Sequence, residues 1–185
     1  MPDVPSYGGF GPIFSLDGVT PVIAPDAFIA PSAAVIGDVE VGSETGIWFH
    51  CLVRGDMNAI RIGARTNIQD GSIIHVDSGA FSTHIGDDVT VGHNAVIHAC
   101  TLKNRAFVGI GATVLDGAII GRRALVAAGA TVAPGTKVPD GMLAVGIPAK
   151  VTGEVRGSSL RWVENNPAVY RELARRHADS ARRVD

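Results

Sequence analysis

The sequence predicts an all-β solenoid, a parallel β-helix built from six-residue repeats, and three observations support this prediction. Aliphatic residues recur at every sixth position over most of the chain. Glycine is abundant, with 23 of the 185 residues, whereas only 5% of the residues are aromatic. The repeat ends near Val151, after which the sequence has features of a helix. A six-residue period that continues over many steps is typical of a β-helix.

The six-residue period also defines the predicted core. The repeated aliphatic positions are Ile29, Val35, Val41, Ile47, Val53, Ile62, Ile68, Ile74, Ile85, Val91, Ile97, Leu102, Val108, Val114, Ile120, Val126, Val132, Val138 and Ala144. One side chain per step can point into a narrow prism while the others face outward, and such an interior has little room for aromatic rings. Strands of a β-sandwich are the alternative, but they come at spacings of about 8 to 12 residues.

The end of the repeat divides the chain into two parts. Residues 1–152 are predicted to form the β-helix with an N-terminal lead-in, and residues 153–185 a helical tail that packs on it. Within the tail, Asn166 suits the N-cap of a helix and Pro167 its first helical position, with a shorter helical turn around residues 160–163. The basic residues expected on the solvated face of this helix are Arg171, Arg175 and Arg176.

Composition and charge exclude several classes of function. The formal charge of -2 at pH 7 gives no overall field that would attract nucleic acid or an anionic membrane. Glycine or a charged residue interrupts every apolar stretch before it reaches the roughly 18 to 20 residues that a membrane span needs. The first residues, MPDVPSYGGFGPIF, lack a basic segment followed by an apolar run, and Cys51 and Cys100 form no CxxC pair. These features predict a cytoplasmic protein and leave open a small neutral or anionic substrate.

The spacing of the repeats predicts which residues stack on neighbouring coils. Three steps complete one coil, so positions three steps apart lie one strand spacing apart, about 4.7 to 4.9 Å. The sequence has a three-residue insertion after Val53 and a five-residue insertion after Ile74. When these insertions are allowed for, Arg54, His75 and His98 fall in one column on one face of the prism.

A second column contains Asp70 and His93, with Gln69 on the neighbouring face. Two imidazoles one strand spacing apart can share a metal ion at about 2.0 to 2.1 Å from each nitrogen. His93 lies around a corner of the prism from His75 and His98, so it is not expected to reach that ion within one subunit. If three prisms pack around a threefold axis, His93 of one subunit can meet the other two histidines on the next. This arrangement predicts three shared metal sites per trimer.

The other polar candidates have simpler interpretations. His50, His84 and His177 are expected to be surface residues, as single outward histidines usually are. Cys100 is expected to be a small buried hydrophobe rather than a fourth ligand. The three candidate ligands could instead form a structural cluster that hydrogen-bonds across a subunit interface.

Three segments resemble the γ-class carbonic anhydrase-like family of left-handed hexapeptide-repeat β-helices, namely IWFHCLVRGD at 47–56, TNIQDGSIIH at 66–75 and VGHNAVIHAC at 91–100. The resemblance covers nearly the whole chain. It implies a left-handed solenoid, an exception to the usual right-handed crossover, and a homotrimer with metal sites at the subunit interfaces. It further implies zinc, or Fe2+ or Co2+ in its place, on His75, His93 and His98. The implied reaction is attack of a metal hydroxide on carbon dioxide to give bicarbonate.

The same resemblance implies roles for residues around the metal. Arg54 would form a salt bridge with Asp56 or Asp70 that organises the interface. Gln69 would orient the metal-bound water without titrating. Tyr170 is a further candidate catalytic residue.

The chain departs from the family pattern in its proton relay. Archetypal members carry glutamates just after the aspartate of the RGD motif and in a loop beyond the first metal histidine. Here these places hold Met57, Asn58 and residues 76–80, where Asp77 is the one nearby acid. Without a relay, proton release should limit the hydration of carbon dioxide.

Two other classes of function fit the same solenoid. A hexapeptide-repeat acyltransferase generally uses one histidine as a general base without a metal, whereas a CoA-thioester hydrolase could use the metal site itself. A non-catalytic assembly subunit would bind metal without turnover. The trio of histidines, together with the Gln-Asp and Arg-Gly-Asp segments, favours the metal enzyme.

Overall fold

The computed structural model describes residues 11–181 and residue 184, so the first ten residues of the predicted lead-in lie outside the described residues. The described chain forms a left-handed parallel β-helix of about seven coils, followed by one C-terminal helix. The predicted fold class is therefore confirmed. Short strands make the flat faces of the prism, and tight turns with positive φ, as at Asn94 and Gly111, make its corners.

One face of the prism, here called the helix face, carries the C-terminal helix. Its parallel strands are Phe28–Ile29, Gly46–Ile47, Asn67–Ile68, Thr90–Val91, Phe107–Val108, Leu125–Val126 and Met142–Val145. A further strand, Lys150–Glu154, pairs antiparallel with the last of these and leads into the helix.

The other two faces are joined by two long strands, Ala34–Val41 and Leu52–Ile62, that run around a corner and contribute to both. The histidine face is completed by Ile13–Phe14, Ile73–His75, Val96–His98, Thr113–Val114 and Thr131–Val132. The third face is completed by Val22–Ile23, Thr83–Ile85, Thr101–Leu102, Ile119–Ile120 and Lys137–Val138.

The main core lies inside the prism, and a smaller cluster of Phe107, Leu125, Val155 and Val163 lies under the C-terminal helix. All nineteen positions predicted from the six-residue period are buried, and none is more than 4% exposed. Burial of one valine or isoleucine side chain contributes about 1.5 to 3 kcal/mol. Glycine after such a position allows coils to approach closely, since a Cβ on Gly63 would lie 2.6 Å from the backbone carbon of Gly86.

The strand register agrees with the step count across both insertions. Val53 pairs with Ile74, and Ile74 pairs with Ile97 on the following coil. His75 is directly opposite His98 in the same ladder. The first insertion lies within the long strand Leu52–Ile62 and the second forms the loop between Ile73–His75 and Thr83–Ile85, and both leave the stacking of the coils intact.

The C-terminal helix spans Gly157–Ser180 without interruption. The prediction that it begins at Pro167 is wrong, and the expected short turn at 160–163 is part of the same helix. Proline inside a helix removes a hydrogen bond and costs about 3 kcal/mol. Here Val163, Pro167 and Ala174 are the buried residues of the helix, so packing on the helix face outweighs the local cost. Within the described residues, no helix combines the length and apolar character needed to cross a membrane.

The polar face of the helix is less solvated than expected. Arg171 and Arg175 both form ion pairs with Glu44, which lies on a corner of the solenoid. Arg176 is exposed. These ion pairs are partly exposed, so each contributes about 1 kcal/mol or less to anchoring the helix.

His177 is not the surface residue that its sequence context suggests. Its ring packs against the rings of Phe28, Trp48 and Phe49, with centroids 5.1 to 6.3 Å apart. This aromatic cluster fixes the end of the helix on the first coils. His50 and His84 are exposed, as expected.

Replacing one core side chain tests the assignment of the interior. Ile120→Ala should lower the free energy of unfolding by about 2 to 5 kcal/mol, because the rigid coils cannot collapse into the cavity. Ile147→Ala is the matched control, since the Ile147 side chain is 77% exposed and surface changes usually cost about 0.5 kcal/mol or less. Urea unfolding at one protein concentration measures both. Equal losses would contradict the assignment.

Candidate metal centre

Two histidines face each other on the histidine face. His75 and His98 end neighbouring strands of one ladder, and their ring centroids are 5.1 Å apart. Nδ1 of His75 lies 3.2 Å from Nε2 of His98. The strand register therefore brings one nitrogen from each ring to a common point.

The other nitrogen of each ring contacts a carboxylate. Nε2–H of His75 donates to Oδ1 of Asp56 at 3.0 Å, and Nδ1–H of His98 donates to Oδ1 of Asp116. We assign the protons in this way because an ionised carboxylate can only accept a hydrogen bond. The two nitrogens that face each other are then both unprotonated in the neutral imidazoles.

Two lone pairs that point at each other repel, and a metal ion between them would remove this repulsion; the geometry fits a divalent metal. Nitrogens 3.2 Å apart, each about 2.05 Å from one ion, subtend an angle of about 103° at that ion, close to the tetrahedral value of about 109°. A carboxylate on the remote nitrogen of a metal-binding histidine is the usual arrangement. His75 and His98 are thus suited to act as two of the ligands.

One chain does not complete the site. In residues 11–181 and residue 184 of a single chain, no three His, Cys, Asp or Glu side chains are arranged to hold a metal. His93 lies beside the helix face, where its Nδ1 is 3.0 Å from Oδ2 of Asp70 and its Nε2 accepts a hydrogen bond from the Tyr170 hydroxyl at 3.3 Å. The contact between Asp70 and His93 agrees with the step count. A metal ion bound by His75 and His98 would therefore need any third side-chain ligand from outside the described part of this chain.

The RGD segment supports His75. Arg54 forms an ion pair with Asp56 of the same chain, while Asp70, the other expected partner, contacts His93 instead. Burial opposes ionisation of Asp56, but hydrogen bonds from His75 and Arg54 outweigh this effect and lower its pKa. Asp56 is therefore a carboxylate that holds an arginine and a histidine at once.

A cleft of about 490 Å³ lies between the C-terminal helix and the helix face. Its polar end contains Gln69, His93 and Tyr170, and much of its remaining wall is apolar, including Ile110 and Trp162. Gln69 is 4% exposed, and its side-chain amide donates to Oδ1 of Asn67 at 3.0 Å. Burial and the negative charge of Asp70 raise the pKa of Tyr170, so its hydroxyl keeps its proton at neutral pH.

Comparison with curated proteins identifies the family. The chain is 44% identical over 160 residues to a carbonic anhydrase of Geobacillus kaustophilus, a match that covers 86% of this chain and 87% of that protein. It is also 44% identical over 164 residues to the mitochondrial gamma carbonic anhydrase 2 of Arabidopsis thaliana. That match covers 86% of this chain but 59% of the Arabidopsis protein. The chain belongs to the gamma carbonic anhydrase family.

Solved structures agree on the fold of this family member. A Bacillus cereus protein described as an acetyltransferase superposes with a TM-score of 0.88 at 38% sequence identity, covering 91% of this chain and 97% of that one. No family model matches the chain. Proteins described by two different activities therefore share its solenoid.

Sequence reasoning missed one carboxylate of the centre, Asp116. The signal was present in the register, because Val114 pairs with Ile97 one coil away and Asp116 follows Val114 by two residues. The same count that stacked His98 on His75 could have placed Asp116 beside His98. The contact between Asp56 and His75 was also missed, because it crosses from one strand to the next.

The cysteines of this gamma carbonic anhydrase family member are buried thiols. Cys51 and Cys100 are both 2% exposed, and burial raises the pKa of each thiol to about 12. A protonated, buried thiol is a poor nucleophile and a poor metal ligand. The expectation that Cys100 acts as a buried hydrophobe agrees with this environment.

Thiol alkylation tests that view. In the folded protein at pH 8, Cys51 and Cys100 should resist iodoacetamide, since the thiolate is the reactive form and each pKa is about 12. In urea, both should be alkylated readily. Mass spectrometry of tryptic peptides measures the extent at each position. Rapid labelling of Cys100 in the folded protein would show that its thiol is accessible, and Cys100 would again be a candidate metal ligand.

Proposed function

We propose that this family member is a metal-dependent carbonic anhydrase that works as a homotrimer, with zinc, or Fe2+ or Co2+ in its place, bound at each subunit interface. The observation that carries the proposal is the pair of facing ring nitrogens on His75 and His98, 3.2 Å apart, with a carboxylate on the other nitrogen of each ring. The proposed substrate pair is carbon dioxide and bicarbonate.

The third ligand in this proposal is His93 of a neighbouring subunit. A single prism presents two facing histidines on one face and His93 beside another, so side-by-side packing around a threefold axis can bring them together. Three histidines would leave one tetrahedral position open, which distinguishes a catalytic site from a closed structural one. A divalent metal held in this way supplies Lewis acidity that makes hydroxide available near neutral pH.

The protein's own groups would hold and orient the reactants. His75 and His98 bind the ion, and Asp56, itself paired with Arg54, fixes the ring of His75. Metal binding by His93 would use the nitrogen that now accepts the Tyr170 hydroxyl, so this hydroxyl would become available to a reactant. Asp70 would keep the remote nitrogen of His93 protonated.

The positions where related enzymes carry proton-relay glutamates have few ionisable groups in this chain. Met57 is 55% exposed and carries no ionisable group. Asp77 accepts a hydrogen bond from the amide of Gly79 in its own loop, 3.3 Å away. We therefore expect buffer to carry much of the proton transfer, with Asp77 as an alternative relay.

A second function, an acyltransferase or a CoA-thioester hydrolase, is favoured by one observation. The cleft of about 490 Å³ beside His93 is apolar along much of its wall and lies in the size range of about 300 to 1,000 Å³ that suits organic ligands. Carbon dioxide would fill only a small part of it. The similarity to a protein described as an acetyltransferase supports the same alternative.

One experiment separates these functions. Protein purified without oxygen is analysed for zinc, iron and cobalt, and then assayed for hydration of carbon dioxide in parallel with a panel of acyl-CoA esters. Bound metal with hydration activity supports the carbonic anhydrase. Acyl-CoA turnover without hydration would favour the alternative, and bound metal with neither activity would favour a non-catalytic assembly subunit.

Mixed trimers test whether the site is shared. His75→Ala and His93→Ala homotrimers should each lose high-affinity, stoichiometric metal, because each lacks one ligand at every interface. Refolded together in equal amounts, they should recover about one intact interface in four, since the correct chain occupies each of two places with even odds. Metal content, with subunit mixing checked by native mass spectrometry, is the measurement.

The matched control mixes His75→Ala with His98→Ala chains. Both ligands come from the same side of the interface, so no mixed interface can be intact and no metal should return. Recovery in this control, or no recovery in verified mixtures of the first pair, would contradict the shared site. His84→Ala, which removes an exposed histidine on the third face, should leave metal binding unchanged.

A further inference from the structure

We propose that Asp116 is a positioning residue, which holds His98 in the tautomer that presents Nε2 to the metal. The inference rests on the proposed metal site of the preceding section. Its basis is the hydrogen bond from Nδ1–H of His98 to Oδ1 of Asp116, together with the position of His98 Nε2, 3.2 Å from Nδ1 of His75.

The solenoid fixes where the Asp116 carboxylate lies. Asp116 follows the strand Thr113–Val114, which pairs with the strand that ends at His98. Its backbone is held on both sides, since the amide of Gly117 donates to the carbonyl of Ala99 and the amide of Gly135 donates to the carbonyl of Asp116, both at 2.8 Å. The carboxylate therefore meets His98 without a long, mobile side chain.

The conformation of this corner depends on Gly117. Its φ is +67°, and a Cβ at this position would lie 3.1 Å from the ring of Phe81. Phe81 lies in the loop between the strands Ile73–His75 and Thr83–Ile85. Glycine meets both requirements at once. The loop that follows His75 thus packs beside the backbone of Gly117, the residue after Asp116.

The two carboxylates of the centre differ in their partners. Asp56 is shared between His75 and Arg54, so its negative charge is partly neutralised. Among the described residues, the Asp116 side chain forms its ion pair with His98. We therefore expect Asp116 to transmit more of its charge to its imidazole, which strengthens the binding of the metal.

Metal affinity in a series of variants tests this role. Asp116→Ala should weaken Zn2+ and Co2+ binding by about 10-fold to 100-fold, measured by competition with a chelator. Asp116→Asn should fall between Asp116→Ala and the unmodified protein, because its amide oxygen still accepts from Nδ1–H but carries no charge. Asp140→Ala is the control, since Asp140 is also a corner carboxylate but contacts Arg122 on another edge. It should bind metal as the unmodified protein does.

A second measurement does not depend on the metal. Side-chain 15N NMR of the metal-free protein, at a pH where the imidazole is neutral, should find the proton of His98 on Nδ1. In Asp116→Ala, it should shift toward Nε2, the site that free histidine prefers. A purely structural Asp116 would change the unfolding temperature without changing this tautomer.

The outcomes separate the inference from the proposed function. Unchanged metal affinity in Asp116→Ala, or a proton on Nε2 of His98 in the unmodified protein, would overturn the positioning role. If the unmodified protein binds no metal at all, the proposed function fails. A shift of the His98 proton on removal of Asp116 would still support the assigned tautomer in that case.

Discussion

The stacking of each six-residue step on the step three places later determines the rest of this structure. Parallel strands about 4.8 Å apart bring residues from neighbouring coils into direct contact, and one aliphatic side chain per step fills the interior. Because the register is set by this interior, outward residues have fixed neighbours even though they contribute little to folding. His75 over His98, and Asp116 beside His98, follow from it.

The same rigidity explains how a solenoid with an apolar interior can build a polar centre. The prism supplies two imidazoles whose outer nitrogens contact carboxylates and whose inner nitrogens, which we assign as unprotonated, lie close together. Such an arrangement is unfavourable without a cation, since two lone pairs face each other. A protein that builds it without a third ligand in the same chain is suited to complete it by association.

Much of the fold could be predicted from the sequence, because the residues that repeat every six positions are the ones whose side chains face the interior. The period predicted nineteen core positions, all of them buried, and, with its two insertions, the stacking of the histidines. Contacts between the helix and the solenoid follow no such period and could not be predicted in this way. The course of the helix through Pro167 depends on its burial against the helix face, and the aromatic surroundings of His177 come from coils that precede it by more than a hundred residues. The bond between Asp56 and His75 likewise depends on side-chain direction rather than spacing.

The central claim is that three imidazoles, two from one subunit and one from its neighbour, bind one metal. X-ray absorption spectroscopy of the Co2+-loaded protein measures this coordination directly. We predict three imidazole nitrogens per metal at about 2.0 to 2.1 Å, together with a lighter oxygen ligand and no sulfur. In His93→Ala loaded at high Co2+ concentration, the count should fall to two. A sulfur ligand, or three imidazoles retained in His93→Ala, would contradict the account.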